Sequence, residues 1–146
     1  PFTGLDPPVA LGIAELIRDM QRRRGLGMIM ANHDLAQVAS LSDRVAVVYG
    51  GRITEDAPVA ELYRRPRHPY TEGLLGSVPR PNVDRLRPIP GETPRLADVS
   101  SAACSFADRC AHVHDVCRTA VPEVRRVDGV DVACVRAEEL DLHGVR

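Results

Sequence analysis

The stretch Met28–Asp34 constrains this chain most, because an apolar run ends there abruptly in Asn32-His33-Asp34. A short apolar run between a glycine and a polar cluster is typical of a buried strand in a parallel sheet. Asp34 is expected to cap the next helix, since its carboxylate can accept N–H groups of the first turn. His33 would lie at the carboxyl end of the strand, where open α/β sheets bind ligands. On these residues alone, a His that only fixes the loop is favoured over a His that binds phosphate.

The basic residues exclude a P-loop within these 146 residues. All 19 basic side chains are Arg, and a P-loop needs a Lys to reach the terminal phosphates. The net charge of −1 does not indicate a nucleic-acid binder held by bulk charge. No apolar run approaches the roughly 18 residues of a membrane span, and no signal peptide is expected.

Helical periodicity predicts a first helix over residues 7–24. Asp6 is a suitable N-cap, and the two prolines that follow suit the first turn. Gly25 is expected to end the helix. One apolar face is formed by residues at spacings of three and four: Val9, Ile13, Leu16, Ile17 and Met20. A second, short helix is predicted from Asp34 to about Ala39.

Two hairpins are predicted further along the chain. The first joins strands at 43–49 and 52–55 through Gly50-Gly51. The second has Asp128-Gly129 between residues 123–127 and 130–135, which places Cys134 on the return strand. Short helices are expected to begin at Pro58 and Pro69, and the charged residues 136–146 are expected to fray.

The predicted fold class is α/β, with a domain boundary near residue 77. A loop, a helix and a strand in this order form the second half of a βαβ unit, whose first strand is expected before Pro1. Parallel pairing then puts the Thr3–Asp6 loop and His33 on one edge of the sheet. Five prolines in residues 77–103 indicate an irregular connector: Pro79, Pro81, Pro88, Pro90 and Pro94. The predicted domains are therefore residues 1–76 and 77–146.

Several ordered motifs resemble a known family. Pro1-Phe2-Thr3-Gly4-Leu5-Asp6 is similar to the end of a Walker B region and the D-loop of ABC-type ATPases, and Asn32-His33-Asp34 resembles their H-loop. Residues 44–53 resemble the hairpin that follows the H-loop. The tail resembles the C-terminal extension of oligopeptide and dipeptide importer ATPase subunits, through Arg67-His68-Pro69-Tyr70-Thr71, Ile89-Pro90-Gly91 and four cysteines.

The resemblance implies a fold, an activity and partners. The chain would be the distal part of a P-loop ATPase domain, with parallel strands and helices and then a β-hairpin, followed by an irregular Cys-rich extension. It implies that His33 contacts the γ-phosphate of ATP, and that Leu5 and Asp6 lie at the interface with a second ATPase subunit. The intact protein would bind ATP with Mg²⁺ and drive peptide import through permease subunits at the cytoplasmic face of the bacterial inner membrane.

The same resemblance implies that this segment alone is inactive. Walker A, the signature motif and the catalytic Glu are not among these residues, and the Glu is expected just before Pro1. Asn32 replaces a more usual Thr or Ser, and Ser105 and Asp108 stand where the family often has Pro, but none of the three is an expected ligand. An alternative is a stand-alone metal- or iron–sulfur-binding interaction module without ATPase activity.

Four cysteines indicate one local site: Cys104, Cys110, Cys117 and Cys134. Disulfides need an oxidising compartment, and structural zinc usually shows closely spaced cysteine pairs. His112 and His114 could supplement a metal site, but their position midway between Cys110 and Cys117 indicates an incidental placement. The resemblance implies a [4Fe–4S] cluster held by all four thiolates, which long connecting loops would suit; zinc and unligated buried thiols remain open.

Two roles are considered for each of four further side chains near these motifs. Arg109 and Arg118 flank the cysteines and could offset thiolate charge or be solvated. For His68 and Tyr70, packing at a helix start is favoured over a chemical role.

Overall fold

The computed structural model of the chain describes residues 4–79 and 86–145. Pro1–Thr3 of the D-loop-like segment, Pro81 of the predicted connector and Arg146 lie outside the described residues. The chain forms two compact units, Pro1–Leu41 and Ser42–Arg146, and each is described by itself. The domain boundary near residue 77 stays a prediction.

The first unit contains helix α1, Pro7–Arg24, with the predicted bounds. Asp6 is the N-cap residue, although its side chain makes no capping hydrogen bond. Gly25 ends the helix in the left-handed conformation (φ 62°), which glycine adopts without strain. The predicted apolar face is largely exposed in this chain, and Ala14 is the only buried α1 residue among those described.

The predicted parallel strand at Met28–Ala31 is wrong for this chain. Residues 26–34, all within the described part, form no helix or strand, and Ile29 is fully exposed. A strand needs a neighbour for its N–H and C=O groups, and no other described segment pairs with this one. Helix α2, Leu35–Leu41, follows.

The second unit is built on one antiparallel sheet. Its strands are β1 (Arg44–Tyr49), β2 (Arg52–Pro58), β3 (Arg125–Val127) and β4 (Val130–Val132), in the order β1-β2-β4-β3. Both predicted hairpins are present, and Cys134 lies just beyond β4 rather than on it. The expected parallel arrangement is thus absent from the described sheet, in which every neighbouring pair is antiparallel.

Both hairpin turns use backbone conformations with positive φ. Gly50 and Gly51 have φ of 55° and 76°, and Asp128 and Gly129 have φ of 47° and 85°. These values are those of the two-residue turns whose twist matches that of antiparallel strands. The hairpins join because Glu55 and Asp56 of β2 pair with Val132 and Asp131 of β4.

Short helices and a small core complete this unit. Helices α3 (Val59–Arg64), α4 (Pro69–Gly76) and α5 (Asp115–Thr119) alternate with irregular segments and two single 3₁₀ turns, Leu96–Asp98 and Ala107–Arg109. Two apolar clusters are buried, one formed by Val47, Ala57, Leu62 and Val130 and the other by Val127, Val132, Cys134 and Ala137.

The expectation that residues 136–146 fray is wrong for the described residues, up to 145. Ala137 and Leu142 are buried. The backbone N–H of His143 donates to Glu72 at 2.8 Å, and that of Val145 donates to the carbonyl of Tyr63 at 2.6 Å. The tail therefore packs on α3 and α4, and its few apolar side chains outweigh its charged composition. None of the described helices is long and apolar enough to cross a membrane.

Candidate functional site

The four cysteines, distant in sequence, line one cavity of the second unit. All four side chains are free thiols, with Cys117 and Cys134 buried and Cys104 and Cys110 half-buried. Other lining residues include His68, Pro69, Ala107, His112, Pro122 and Leu140. The structure thus brings together the four residues that the sequence predicted as one local site.

Local backbone geometry sets the positions of these thiols. Cys110 ends the 3₁₀ turn Ala107–Arg109, Cys117 lies in α5, and Cys134 follows β4. The N–H of Cys104 donates to the carbonyl of Cys117 at 2.9 Å, which ties the first loop to α5. Cys134 is the last of the four cysteines in sequence. The pairing of β4 in the sheet fixes the backbone just before Cys134, which lines the cavity.

Backbone N–H groups point at three of the four sulfurs. The N–H of His112 donates to Sγ of Cys110 at 3.4 Å. Sγ of Cys104 accepts from the N–H groups of Phe106 and Ala107, and Sγ of Cys134 accepts from that of Arg136. Such donors favour the thiolate form of a cysteine, which is the form that binds metals.

Burial acts against the thiolate form. It raises the pKa of Cys104 and Cys134 above the usual range and that of Cys110 to about 11, while the backbone N–H donors lower each pKa. Neighbouring thiols raise these pKa values further, which reflects how closely the cysteines converge. Stable thiolates here would need a positively charged partner inside the cavity.

In the two described ranges, no group of three or more Cys, His, Asp or Glu side chains is arranged to hold a metal ion. His112 lines the cavity with Nε2 at 3.6 Å from a carboxylate oxygen of Glu72, whereas His114 is exposed at the start of α5.

A buried carboxylate that the sequence analysis missed fixes the Arg67–Thr71 segment. One oxygen of Glu55 accepts the backbone N–H of Arg67 at 2.8 Å, and the other accepts that of His68 at 3.0 Å. Glu55 is fully buried, which raises its pKa, and the backbone hydrogen bonds from Arg67 and His68 lower it. The sequence carries no local signal for this role, because the two N–H groups that Glu55 accepts lie twelve and thirteen residues away.

His68 and Tyr70 have the packing role that the sequence favoured. His68 is the N-cap of α4, and its Nδ1 accepts the N–H of Tyr70 at 3.0 Å. The ring of Tyr70 packs against Tyr49 and Phe106, with centroids 4.6 and 5.3 Å away. Because Phe106 also bonds the sulfur of Cys104 through its N–H, this aromatic cluster joins α4 to the cysteine cavity.

Neither arginine singled out in the sequence contacts a thiol among the described residues. Arg109 donates to the carbonyls of Pro90 and Gly91 at 2.8 and 3.1 Å and lies over the ring of Tyr49. Arg118 makes an exposed ion pair with Asp108.

A different arginine, which the sequence analysis missed, contacts the cysteine region. Arg125 donates to the carbonyl oxygens of Cys134 and Val135 at 3.2 and 2.9 Å. Its positive charge also lowers the pKa of Cys134, although burial outweighs that effect. Arg125 is thus placed to offset negative charge at Cys134, which was one of the two roles considered for Arg109 and Arg118.

In the first unit, His33 is exposed in a loop, and the residues on either side of it, Asn32 and Asp34, make hydrogen bonds. Asp34 accepts N–H groups of Ala36 and Gln37 at 2.9 and 3.2 Å, which confirms it as the cap of α2. Asn32 accepts the N–H of Asp34 at 3.0 Å. Leu5 and Asp6 are also exposed. The roles of His33, Leu5 and Asp6 remain predictions.

Known proteins resemble this chain over most of its length. It is 40% identical to a peptide import ATP-binding protein of Brucella ovis over an alignment that covers 96% of the chain and 44% of that relative. It is 45% identical to the oligopeptide transport ATP-binding protein OppD of Mycobacterium tuberculosis, with 94% of the chain and 23% of the relative covered. The chain therefore spans less than half the length of each relative.

A family model matches the part that contains Tyr70 and Phe106 of the aromatic cluster and three of the four cysteines. Residues 54–117 match the family described as the oligopeptide/dipeptide transporter, C-terminal region. Cys134 lies beyond that match but within a cavity that the matched cysteines share. With the family match and the relatives together, the resemblance to ATP-binding subunits of peptide importers is confirmed.

Proposed function

We propose that this chain is part of an ATP-hydrolysing subunit that energises peptide import by an ABC transporter. The observation that carries the proposal is the similarity over at least 94% of the chain to proteins named for peptide import or transport and ATP binding. The intact protein would bind ATP with Mg²⁺ and pair with a second ATPase subunit. It would act on transmembrane permease subunits from the cytoplasmic face of the bacterial inner membrane.

His33 is the residue of this chain that would act on the nucleotide. Its exposed ring, between the hydrogen-bonded Asn32 and Asp34, is free to donate to a γ-phosphate oxygen. A donor held in place there stabilises the charge on the transferred phosphoryl group. Leu5 and Asp6, also exposed, would contact the second ATPase subunit.

The test is ATP hydrolysis by the complete protein assembled with its permease. His33→Ala should lower kcat by about 100-fold or more while ATP binding is retained, and the exposed His114→Ala should leave kcat unchanged. Residues 1–146 alone should not hydrolyse ATP, because they contain no Lys for a P-loop. Full turnover by the His33→Ala protein would contradict the assigned role.

We infer that Cys104, Cys110, Cys117 and Cys134 hold a [4Fe–4S] cluster. Four free thiols around one cavity, with N–H donors on three sulfurs, fit the ligand set of such a cluster. When bound, the cluster would supply one-electron redox chemistry and a covalent link between α5 and the sheet. The comparisons do not support the alternative of a stand-alone metal-binding module.

Anaerobic purification tests the cluster. The complete protein should be brown, and Cys110→Ser or Cys117→Ser should remove the colour and the iron together. His114→Asn, a change at an exposed residue of the same region, should preserve both. Colourless protein with stoichiometric zinc would contradict the inference.

A further inference from the structure

We propose that His68 donates a hydrogen bond from Nε2 to a sulfur of the cluster held by the four cysteines and thereby raises the reduction potential of that cluster. The observation is that His68, at the N-cap of α4, lines the same cavity as the four thiols. The proposal rests on the proposed cluster, and it adds a fifth residue to the cluster's surroundings.

The hydrogen bond at Nδ1 fixes the tautomer of the ring. Nδ1 accepts the N–H of Tyr70 at 3.0 Å, so it cannot carry a proton itself. The ring proton of a neutral His68 must therefore lie on Nε2, which makes Nε2 a donor. Burial lowers the pKa of His68 to about 4, so the ring is neutral at physiological pH.

Nε2 has no acceptor within the described part of the protein. His68 as a whole is 2% exposed. Its Nε2 is not one of the fully buried polar atoms that lack a partner in the described part of the chain. With Nδ1 turned toward its own helix, the opposite edge of the ring is the one available to the cavity. Sulfur atoms of a bound cluster would be the acceptors there.

Neighbouring residues hold the ring close to the cysteines. Glu55 accepts the backbone N–H of His68 at 3.0 Å and so fixes the start of α4. The ring of Phe106 lies 5.9 Å from that of His68, centroid to centroid, and the N–H of Phe106 bonds Sγ of Cys104. His68 thus packs against the residue that directly contacts one cluster ligand.

The direction of the effect follows from charge. Reduction adds one negative charge to the cluster, and a hydrogen bond to sulfur becomes stronger as that charge increases. The donor therefore stabilises the reduced state more than the oxidised state, which raises the potential.

The experiment is a redox titration of the complete, anaerobically purified protein, followed by electron paramagnetic resonance. His68→Asn keeps an oxygen that can cap α4 but is too short to replace Nε2. It should lower the equilibrium constant for reduction about tenfold, a fall of about 59 mV for one electron. His114→Asn, at the exposed N-cap of α5, is the matched control and should leave the potential unchanged.

A second measurement needs no variant. Protein with isotope-labelled histidine should show a nitrogen hyperfine coupling to the reduced cluster, which a hydrogen-bonded imidazole produces. An unchanged potential in His68→Asn with full iron content, or no such coupling in the wild-type protein, would overturn the role of His68 and leave the cluster standing. Wild-type protein without any cluster would overturn both.

Discussion

Glu55 of β2 accepts the backbone N–H of His68 at 3.0 Å, across thirteen residues of sequence. Its other oxygen accepts the N–H of Arg67 at 2.8 Å. A carboxylate that is fully buried needs such donors, and the turn before α4 needs such an acceptor. This one side chain therefore couples the sheet to the segment that borders the cysteine cavity.

Replacement of Glu55 by Ala should lower the free energy of unfolding by about 3 kcal/mol, because two buried N–H groups lose their acceptor. Denaturation in urea measures the change. Asp56→Ala is the matched control on the same strand. Asp56 pairs with Arg44 in a partly exposed ion pair, so its loss should be below about 1 kcal/mol. Equal losses in the two proteins would refute the role of Glu55.

Leu62→Ala should destabilise the protein by about 2–5 kcal/mol, since Leu62 fills the cluster formed with Val47, Ala57 and Val130. Leu96→Ala should change stability by no more than about 0.5 kcal/mol, because Leu96 is 73% exposed. Thermal or urea unfolding compares the two. A similar effect of both substitutions would show that this core does not carry the stability of the second unit.

Arg109→Lys should loosen residues 89–93. The guanidinium donates to the carbonyls of Ile89, Pro90 and Gly91 and to the hydroxyl of Thr93 at 3.2 Å, and an ammonium cannot reproduce that fork. Hydrogen exchange in this segment should become faster, with a loss of roughly 1–2 kcal/mol in local stability. Arg118→Lys, at an exposed ion pair, should leave exchange there unchanged. Unchanged protection in Arg109→Lys would contradict this account.

His68 should make stability depend on pH. Its pKa is about 4 in the folded protein, against an ordinary value of 6.5, because burial disfavours the charged ring. The unfolded chain binds the proton first as pH falls, so stability is complete above pH 6.5 and is lost toward pH 4. The loss should reach roughly 3 kcal/mol.

Glu55, whose pKa is raised, also makes stability depend on pH, but it does so in both wild-type protein and His68→Asn. The difference in stability between the two proteins therefore isolates the contribution of His68. Unfolding measured from about pH 7 to about pH 4 should show wild-type protein losing stability faster than the variant. Parallel curves would rule out a neutral buried His68.

Local signals predicted the elements whose causes are local. Helix α1 has its prolines, its apolar spacing and Gly25 within one stretch, and Gly50-Gly51 and Asp128-Gly129 specify their turns by themselves. Asp34 likewise caps α2 through N–H groups two and three residues away.

Elements that depend on distant partners could not be predicted in this way. Met28–Ala31 has the composition of a strand but no partner among the described residues, and the pairing of β2 with β4 has no signature in either segment. The convergence of the cysteines was expected from their number and family resemblance, whereas Glu55 and Arg125 were missed because their partners lie far along the chain.

X-ray absorption at the iron edge tests the cluster most directly, using the complete protein purified without oxygen. A [4Fe–4S] cluster held by Cys104, Cys110, Cys117 and Cys134 predicts a sulfur shell around iron together with a second shell of neighbouring iron atoms. The second shell should disappear in Cys117→Ser. Iron with no metal neighbour, or zinc in place of iron, would contradict the account.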